Sequence, residues 1–474
     1  MFFNIDTILF VGFLILNLWF GLRSSHGIKN IKEYSIGDGN FNTHSLTNTI
    51  VATYVGGGFF MFNIVENYQH GLYFAFTSIA EILTFLIIGW YFAPRLSQFI
   101  GKMSIAEAMG SLYKEKVQLV TAICGFIGVV GFLVLQLKVA GVVFEYVFNL
   151  TPFYGVLLAG LIVTIYSALG GIKSVTFTDM IQFYTFGAII PIVTLYFYTS
   201  FSGFDLVLNT ISKNPNFDLS KIFDTSNLKF WNYLSIFIIF LIPNFDPAIF
   251  QRIAMCKNVY QIRKSFYTVF FICLFLLATM FWLCLVILTK TPNLPTDDII
   301  KIGVFNALPV GMKGLLLVGV FAMVMSTADS YINSSAVLIT YDFCKVLKIK
   351  LKNKLLSARI ISFILGILAI SLSFKETNVL KLSIFCISFY TPIVVVPFIM
   401  ATCGYRTPYE KAVLWGMGAG FITVLLWNYY RLTIIDSIVP AMLVNLVVLV
   451  SMHYYYHNQF LKLQNKPIRT KKFK

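Results

Sequence analysis

Residues 45–67 read SLTNTIVATYVGGGFFMFNIVEN, an apolar stretch of membrane-spanning length with three glycines, Gly56 to Gly58, in its middle. Each Gly in place of Ala weakens a helix by about 1 kcal/mol. Three in succession therefore predict a break inside the span. Unwound backbone within a membrane is tolerated where it is buried in protein or lines a cavity, so the break is also a candidate binding site.

The composition around this stretch excludes a water-soluble domain. Of the 474 residues, 58% are hydrophobic and 12% are charged, against roughly 45–50% and about 25% in soluble domains. A membrane crossing needs about 20 apolar residues, which predicts an all-α integral membrane protein with about 13 transmembrane helices. The predicted crossings are residues 4–22, 45–67, 71–94, 118–146, 151–169, 175–199, 230–248, 265–289, 312–341, 357–374, 378–402, 408–428 and 433–456.

A second break is predicted in the seventh crossing, which contains Pro243-Asn-Phe-Asp-Pro247. Each proline removes a backbone donor and interrupts a helix. The two interrupted crossings lie five apart, so they traverse the membrane in opposite directions. Paired interrupted helices in corresponding positions of two inverted repeats indicate the binding site of a secondary transporter.

The basic residues predict the orientation. With the N-terminus outside, most of the 36 Lys and Arg residues fall on the cytoplasmic side, including the cluster from Lys345 to Arg359 and the tail 460–474. Basic residues accumulate in cytoplasmic loops of membrane proteins. This predicts a multi-pass protein of a bacterial-type plasma membrane with its C-terminus in the cytoplasm, and it explains the net charge of +16 without a nucleic-acid partner.

The ninth crossing has an unusually polar face. Ser326, Asp329, Ser330, Asn333 and Ser334 follow helical spacing and share one side of the helix. Hydroxyl and carboxylate oxygens suit a hard monovalent cation. The alternative for the serines is helix packing through small residues and hydrogen bonds, whereas a carboxylate within a span usually lines a pathway or pairs with another group.

Three further ionisable residues within predicted crossings are functional candidates. Asp179 is about one turn from the cytoplasmic boundary, where it is either a cation waypoint or a carboxylate favoured by the helix dipole. Glu81 lies about two turns from the outer end and needs a partner or a cavity. Lys138 is expected to pair with an acidic neighbour, to bind an acidic solute, or to snorkel toward the interface.

Four stretches resemble the sodium:solute symporter family, which includes bacterial sodium/proline, pantothenate, sialic-acid and sugar symporters. They occur in the expected order and read ATYVGGGFF from Ala52, GGIKSVTFTDMIQ from Gly170, DPAIFQR from Asp246 and MSTADS from Met325.

The resemblance implies an inverted 5+5 repeat fold like that of the leucine transporter. The whole chain, 1–474, is then one transporter domain. It comprises a peripheral first helix (4–22), repeat one (45–199), repeat two (230–402), two C-terminal helices (408–456) and a basic cytoplasmic tail (460–474).

The resemblance also implies the coupling-ion site. Sodium would be bound by backbone carbonyls of Ala52, Val55 and Met323 and by the hydroxyls of Ser326 and Thr327. Asp179, with Asp329 and Ser330, would form a second ion site or a release path. Gln251-Arg252 would belong to the cytoplasmic architecture.

The same comparison implies a solute site beside the first break. Its candidate residues are Gly56, Gly57, Gly58, Phe59, Glu81, Lys138, Ile242 and Pro243. Glu81 matches an acidic substrate residue of sugar-transporting members, but Ile242-Pro243 replaces the aromatic gate expected in them. An amino acid or a small organic acid is therefore preferred to a sugar.

The predicted function is secondary active symport, with sodium as the coupling ion, no other cofactor, and a small organic solute as the cargo. A proton-coupled or exchange carrier on the same fold is the alternative, with Asp329 or Asp179 carrying the proton and Lys138 substituting for the cation. A membrane-embedded enzyme is disfavoured because the five histidines lack metal-ligand spacing. No oligomeric state is predicted.

Overall fold

The computed structural model describes residues 4–24, 28–201, 203–374, 379–432 and 434–464, and the regular secondary structure within these ranges is helical. Helices of eight or more residues are numbered here α1 (Ile5–Ser24), α2 (Thr43–Tyr54), α3 (Gly57–His70), α4 (Leu72–Ile87), α5 (Ile105–Tyr113), α6 (Glu115–Phe148), α7 (Pro152–Leu169), α8 (Ile172–Phe201), α9 (Phe204–Lys213), α10 (Leu228–Leu241), α11 (Pro247–Ala254), α12 (Val259–Lys290), α13 (Met312–Val337), α14 (Lys354–Ser373), α15 (Val379–Ser388), α16 (Glu410–Tyr429) and α17 (Ile438–Gln464). Shorter helical segments extend or connect them, namely Ile31–Ile36, Ile88–Phe92, Ala93–Leu96, Ser97–Phe99, Pro215–Phe217, Leu219–Ile222, Thr296–Asp298, Ile299–Phe305, Leu338–Phe343, Cys344–Val346, Thr391–Val395 and Val396–Thr402.

The membrane-spanning elements follow the sequence prediction closely. Within the described ranges, eleven helices with their extensions are long and apolar enough to span a membrane, and α2 with α3 forms a twelfth span bent by 55°. The seventh predicted crossing corresponds to α10, which has 14 residues and is too short to span alone, followed by α11. The all-helical membrane fold is confirmed, whereas the count of 13 stays a prediction.

Both predicted breaks are present. Helix α2 ends at Tyr54 and α3 begins at Gly57. Helix α10 ends at Leu241, and α11 restarts only at Pro247. The restart has a clear local cause, since the Asp246 carboxylate accepts hydrogen bonds from the amides of Ala248 and Ile249 at 3.0 and 3.2 Å. An N-cap carboxylate followed by proline at the first helical position favours helix initiation.

Helix α13 is the centre of the molecule. In its most apolar segment 94% of the residues are buried. It packs against α1, α2, α3, α6, α7, α8, α11 and α14. By contrast, α16 and α17 pack mainly against each other, and only 33% and 22% of the residues in their apolar segments are buried. The polar face of α13 is therefore enclosed by protein and faces the broken helix α2–α3.

Candidate functional site

Four of the five predicted sodium ligands meet where α2 ends against α13. The Ser326 hydroxyl donates to the Ala52 carbonyl at 2.7 Å, and the Thr327 hydroxyl is 3.4 Å from the same oxygen. Each hydroxyl oxygen is also 3.0 Å from the Met323 carbonyl oxygen, so its single hydrogen can be directed to either carbonyl. The last carbonyls of a helix lack intrahelical partners, so the break at Gly56 makes the end of α2 available to α13.

Val55, the fifth predicted ligand, is the C-cap residue of α2 and is fully buried. Its amide donates to the Val51 carbonyl at 2.8 Å. The other four residues bring two carbonyl oxygens and two hydroxyl oxygens together at the end of α2. Oxygen donors of this kind suit a hard cation, and the burial of all five residues would keep water away from it.

Glycines 57 and 58 allow α3 to pack closely against its neighbours. A Cβ atom on Gly57 would lie 2.5 Å from Val324 Cγ2, and one on Gly58 would lie 2.7 Å from Leu135 Cδ2. The Gly57 amide donates to Gln136 Oε1 at 3.0 Å. These two glycines thus lie in close helix packing.

A second polar cluster lies one turn from the cation site. The Asp179 carboxylate accepts a hydrogen bond from the Thr49 hydroxyl. It also forms an ion pair with Arg252, whose Nη2 atom is 3.4 Å away. Arg252 Nη2 also donates to the Ser330 hydroxyl at 2.5 Å, and Ser330 is 3.0 Å from the hydroxyl of Thr53. Arg252 is fully buried beside Asp179.

Asp329 sits beside this cluster and accepts a hydrogen bond from Ser167 of α7. Its second carboxylate oxygen is buried with no hydrogen-bond partner among the described residues, as are Asp179 Oδ1 and Arg252 Nη1. The amide groups of Gln182 and Gln251 are in the same condition. Buried polar groups normally have partners, so this region has unused capacity to bind an ion or water.

A central cavity of about 110 Å³ lies between the two helix breaks. Gly56 and Phe59 line it from the first break, and Ile242, Asn244 and Phe245 line it from the second. The cavity therefore has the position expected of a transporter's solute site.

The chemistry of this cavity is aromatic and acidic. Its described lining includes Glu81 and Asp246 but no basic side chain. Asp246 Oδ1 caps α11, whereas Glu81 lies within α4 and caps no helix. Its Oε2 atom is buried and has no partner among the described residues, so it is available to a donor group of a solute.

Thr327 connects the two sites, because it contacts the Ala52 carbonyl and also lines the cavity. A cation between α2 and α13 would therefore lie directly beside a bound solute.

Of the eight solute-site candidates, the cavity lining includes Gly56, Phe59, Glu81 and Ile242. Gly57 and Gly58 pack against helices, and Pro243 is a buried residue of the second break. Lys138 lies two residues from Gln136 on α6, on a different face, and lines a separate peripheral groove.

Sequence reasoning missed several cavity residues. Gln136, Tyr331 and Asn244 line the cavity, and Asn244 accepts a hydrogen bond from Thr391 at 2.6 Å. Gln136 lies in an otherwise apolar part of α6, which is a signal that could have identified it. Tyr331 stacks on Phe132 with ring centroids 5.5 Å apart, and no local pattern predicts that contact.

Two discontinuous membrane helices that face each other across a buried cavity, with an oxygen-lined site at one break, define a secondary transporter of the leucine-transporter fold. The model of the sodium:solute symporter family matches residues 34–420. The chain belongs to this family and is a sodium-coupled solute symporter, not an enzyme.

Individual relatives are distant. The chain is 24% identical over 377 residues to a sodium/glucose cotransporter of Vibrio parahaemolyticus, covering 72% of this chain and 69% of the relative. It is 22% identical over 327 residues to a sodium/sialic acid symporter of Aliivibrio fischeri, covering 62% and 61%.

The fold agrees with a solved structure of a Na+-coupled sialic acid symporter in a substrate-bound, outward-open state. The TM-score is 0.79 at 16% identity, and the match covers 96% of this chain and 98% of that one. An agreement at this identity shows a shared fold and leaves the solute of this chain to be argued from its own residues.

Proposed function

We propose that one sodium ion binds between α2 and α13, coordinated by the carbonyls of Ala52, Val55 and Met323 and by the hydroxyls of Ser326 and Thr327. The observation that supports this site most directly is the contact of both hydroxyls with the Ala52 carbonyl, at 2.7 and 3.4 Å. The ion would replace the hydroxyl hydrogens as the partner of these carbonyls and join the two repeats.

Sodium binding would favour one conformation and thereby prepare the solute site. A ligand shifts a conformational equilibrium only by its difference in affinity for the two states. The proposed sodium site is called the cage and comprises Ala52, Val55, Met323, Ser326 and Thr327. It needs α2 and α13 in contact, so sodium stabilises the state in which they meet. Rocking of one helix bundle against the other would then expose ion and solute to the cytoplasm.

The polar cluster of Asp179, Asp329 and Ser330 is proposed as the release path or as a second ion site. It lies adjacent to the cage, since the Ser330 hydroxyl donates to the Ser326 carbonyl at 2.9 Å. A sodium ion leaving the cage would meet carboxylate oxygens within one helical turn. Asp179, paired with Arg252, would attract the ion without trapping it.

We propose Gly56, Phe59, Glu81 and Ile242 as solute contacts. Because the carboxylate of Glu81 is available and the described lining contains no basic side chain, the cavity favours a solute with an amino group or several hydrogen-bond donors. An amino acid fits this chemistry better than a small organic acid. Its carboxylate would lie near the start of α3, where helix amides and the dipole favour a negative charge.

The chain is proposed to lie in a bacterial-type plasma membrane, with the N-terminus outside and the C-terminus in the cytoplasm. Residues 45–199 and 230–402 would form the inverted repeats of one transporter domain. An inward membrane potential contributes about 2.3 kcal/mol per charge per 100 mV. One sodium ion per cycle is therefore enough for substantial accumulation of a neutral or zwitterionic solute.

Thermal unfolding of the purified protein in detergent tests the sodium site without knowledge of the solute. Sodium is titrated against potassium and choline at fixed ionic strength. A ligand specific for the native state stabilises it by about 2.7 kcal/mol at a hundredfold excess over Kd. We expect a sodium-specific rise in the melting temperature that is lost in Ser326→Ala.

Ser362→Ala is the matched control, because this buried serine of α14 is 3.1 Å from the Tyr34 hydroxyl and lies outside the cage. It should retain the sodium response. Equal melting in the three salts would contradict the sodium site and favour proton coupling through Asp329 or Asp179, which is then tested by the pH dependence of uptake.

A further inference from the structure

Helix α1 has two buried polar side chains on the face that packs against the rest of the molecule. Only 22% of the residues in its apolar segment are buried. The buried positions are Asp6, Phe10, Asn17 and Gly21, and their spacing places them on one side of the helix. Polar side chains within a membrane span are costly and usually functional, so Asp6 and Asn17 need a reason beyond packing.

The Asp6 carboxylate fixes the N-terminal end of α1 to the start of α13. It accepts hydrogen bonds from the amides of Gly311 and Gly314 at 2.6 and 2.8 Å. The first amides of a helix lack intrahelical partners and favour a negative charge. A Cβ atom on Gly314 would lie 2.5 Å from Asp6 Cα, so the two backbones are in direct contact. These contacts set the position of α13 along its axis.

Asn17 contacts α13 beside the proposed sodium site. Its Nδ2 atom donates to Met325 Sδ at 3.3 Å, and the residue is 1% exposed. Consecutive residues are about 100° apart around a helix axis, since a turn has 3.6 residues. The contact that holds Met325 against α1 therefore also determines the direction in which the next side chain, Ser326, points.

Stability alone does not account for an asparagine at position 17. A thioether sulfur is a weak hydrogen-bond acceptor, and Asn17 Oδ1 is buried with no partner among the described residues. Burying an amide without full compensation costs free energy, which a leucine at this position would avoid. The directional contact with Met325 is what the amide provides and an apolar side chain does not.

The C-terminal half of α1 reaches the second polar cluster. Ser174 of α8 donates to the Gly21 carbonyl at 2.8 Å. A Cβ atom on Gly21 would overlap the ring of Tyr166 in α7, next to Ser167, which donates to Asp329. Helix α1 is thus fixed along its length to helices that supply side chains to the two polar sites.

We infer that Asn17 is a positioning residue for sodium binding. Through Met325 it holds α13 in the rotation that turns the hydroxyls of the cage toward α2, and Asp6 supports the same helix at its start. The inference rests on the proposed sodium site. Asn17 lies outside the cage, so it changes the affinity for sodium by orienting the ligands and not by supplying one.

A double-mutant cycle on the sodium affinity tests the contact. The Kd for sodium is obtained from the rise in melting temperature with sodium concentration, in the wild type, Asn17→Leu, Met325→Leu and the double variant. We expect each single variant to raise the Kd roughly fivefold, the effect of one hydrogen bond. The double variant should bind no more weakly than either single variant, because substitutions that remove the same contact are not additive.

Asn445→Leu is the matched control. Asn445 is a fully buried asparagine of α17 that donates to the Pro392 carbonyl at 2.6 Å, and its Oδ1 atom also has no partner among the described residues. This variant should keep the wild-type Kd for sodium, whatever its melting temperature without sodium. If Asn17 were only structural, Asn17→Leu would behave in the same way.

Hydrogen exchange of α13 in the sodium-free protein separates this inference from the proposed sodium site. The amides around Ser326 should exchange faster in Asn17→Leu than in the wild type and Asn445→Leu. If the wild type responds to sodium, an unchanged Kd in Asn17→Leu or additive losses in the double variant would overturn the inference. If the wild type does not respond, the sodium site is refuted, and equal exchange in Asn17→Leu and Asn445→Leu would overturn the role of Asn17 as well.

Discussion

At the scale of single residues, the buried pair of Asp179 and Arg252 is the most consequential contact outside the cation cage. Both side chains are fully enclosed, and Nη2 of Arg252 lies 3.4 Å from the carboxylate. Removing one member of a buried ion pair is far more costly than removing both, because the remaining charge stays buried without compensation.

We therefore predict that Arg252→Met lowers the free energy of unfolding by about 3–5 kcal/mol. Asp179→Asn/Arg252→Met should be destabilised less than Arg252→Met alone. Thermal unfolding of the wild type, the single variant and the double variant measures both effects. If the double variant is the least stable of the three, the pair is not electrostatically coupled.

A second prediction at this scale concerns Glu81. In a screen of solutes by thermal shift in saturating sodium, amine-bearing solutes should stabilise the wild type and fail to stabilise Glu81→Gln. The amide keeps the size of the side chain but removes the charge that would attract an ammonium group. The sodium shift itself should persist in the variant.

Glu66→Gln is the matched control for Glu81→Gln, because Glu66 is a buried glutamate outside the cavity lining. A solute response that survives in Glu81→Gln, or that disappears equally in Glu66→Gln, would refute the assignment of Glu81.

The residue scale is also where sequence reasoning reached its limit. Ser326, Thr327 and Asp179 could be proposed because polar side chains in an apolar span are conspicuous. The partners of Asp179 could not be proposed, because Thr49 and Arg252 lie 130 and 73 positions from Asp179 in the sequence. Only the packing of α2, α8 and α11 on one another brings them together.

At the scale of helices, the break between α2 and α3 depends on close packing as well as on weak helix propensity. Gly57 faces Val324 and Val139 at distances that leave no room for a methyl group, with would-be contacts of 2.5 and 2.8 Å. Helix α2 supplies the Ala52 carbonyl of the cage, so α3 must pack closely against α6 and α13 for α2 to end beside Ser326 and Thr327.

Gly57→Ala is accordingly expected to destabilise the protein by about 1–3 kcal/mol, the usual effect of overpacking, and to weaken the sodium response. Gly187→Ala in α8 is the control, because its Cβ would lie 3.6 Å from Phe183 and should be neutral or stabilising. Thermal unfolding with and without sodium compares them. Equal behaviour of the two variants would exclude packing as the role of Gly57.

The breaks were predictable as elements because Gly and Pro act locally on the backbone. The glycines alone predict a break, and the structure shows in addition that Gly57 and Gly58 pack closely against α6 and α13. Helix propensity explains where the helix stops. It contains no information about which neighbour needs the missing side chain.

At the scale of the whole molecule, the distribution of basic residues predicts which ends face the cytoplasm. Two single-cysteine variants test this topology with a maleimide that cannot cross the membrane. The first keeps only the native Cys403, which is exposed and follows Val396–Thr402, and the reagent should label it in inside-out vesicles. The second has only Asp218→Cys, at an exposed position of the long loop before α10, and the reagent should label it in intact cells. The reverse pattern would invert the proposed topology.

The overall architecture was largely accessible from composition and span counting, because continuous apolar runs of about 20 residues cross a bilayer as helices. The count of crossings was not fully accessible. Residues 230–248 are apolar enough to be read as one crossing, yet the prolines divide them into α10 and the separate α11, and spanning length is then no longer a property of a single helix.

Each polar site joins opposite halves of the chain. The cage combines the Ala52 carbonyl with the Ser326 and Thr327 hydroxyls, and the ion pair combines Asp179 with Arg252. If the polypeptide were supplied as two fragments divided in the exposed stretch before α10, neither fragment alone would hold a complete site. Sodium would then stabilise the complex of the two fragments, and the fragments would assemble into the folded protein more completely in its presence.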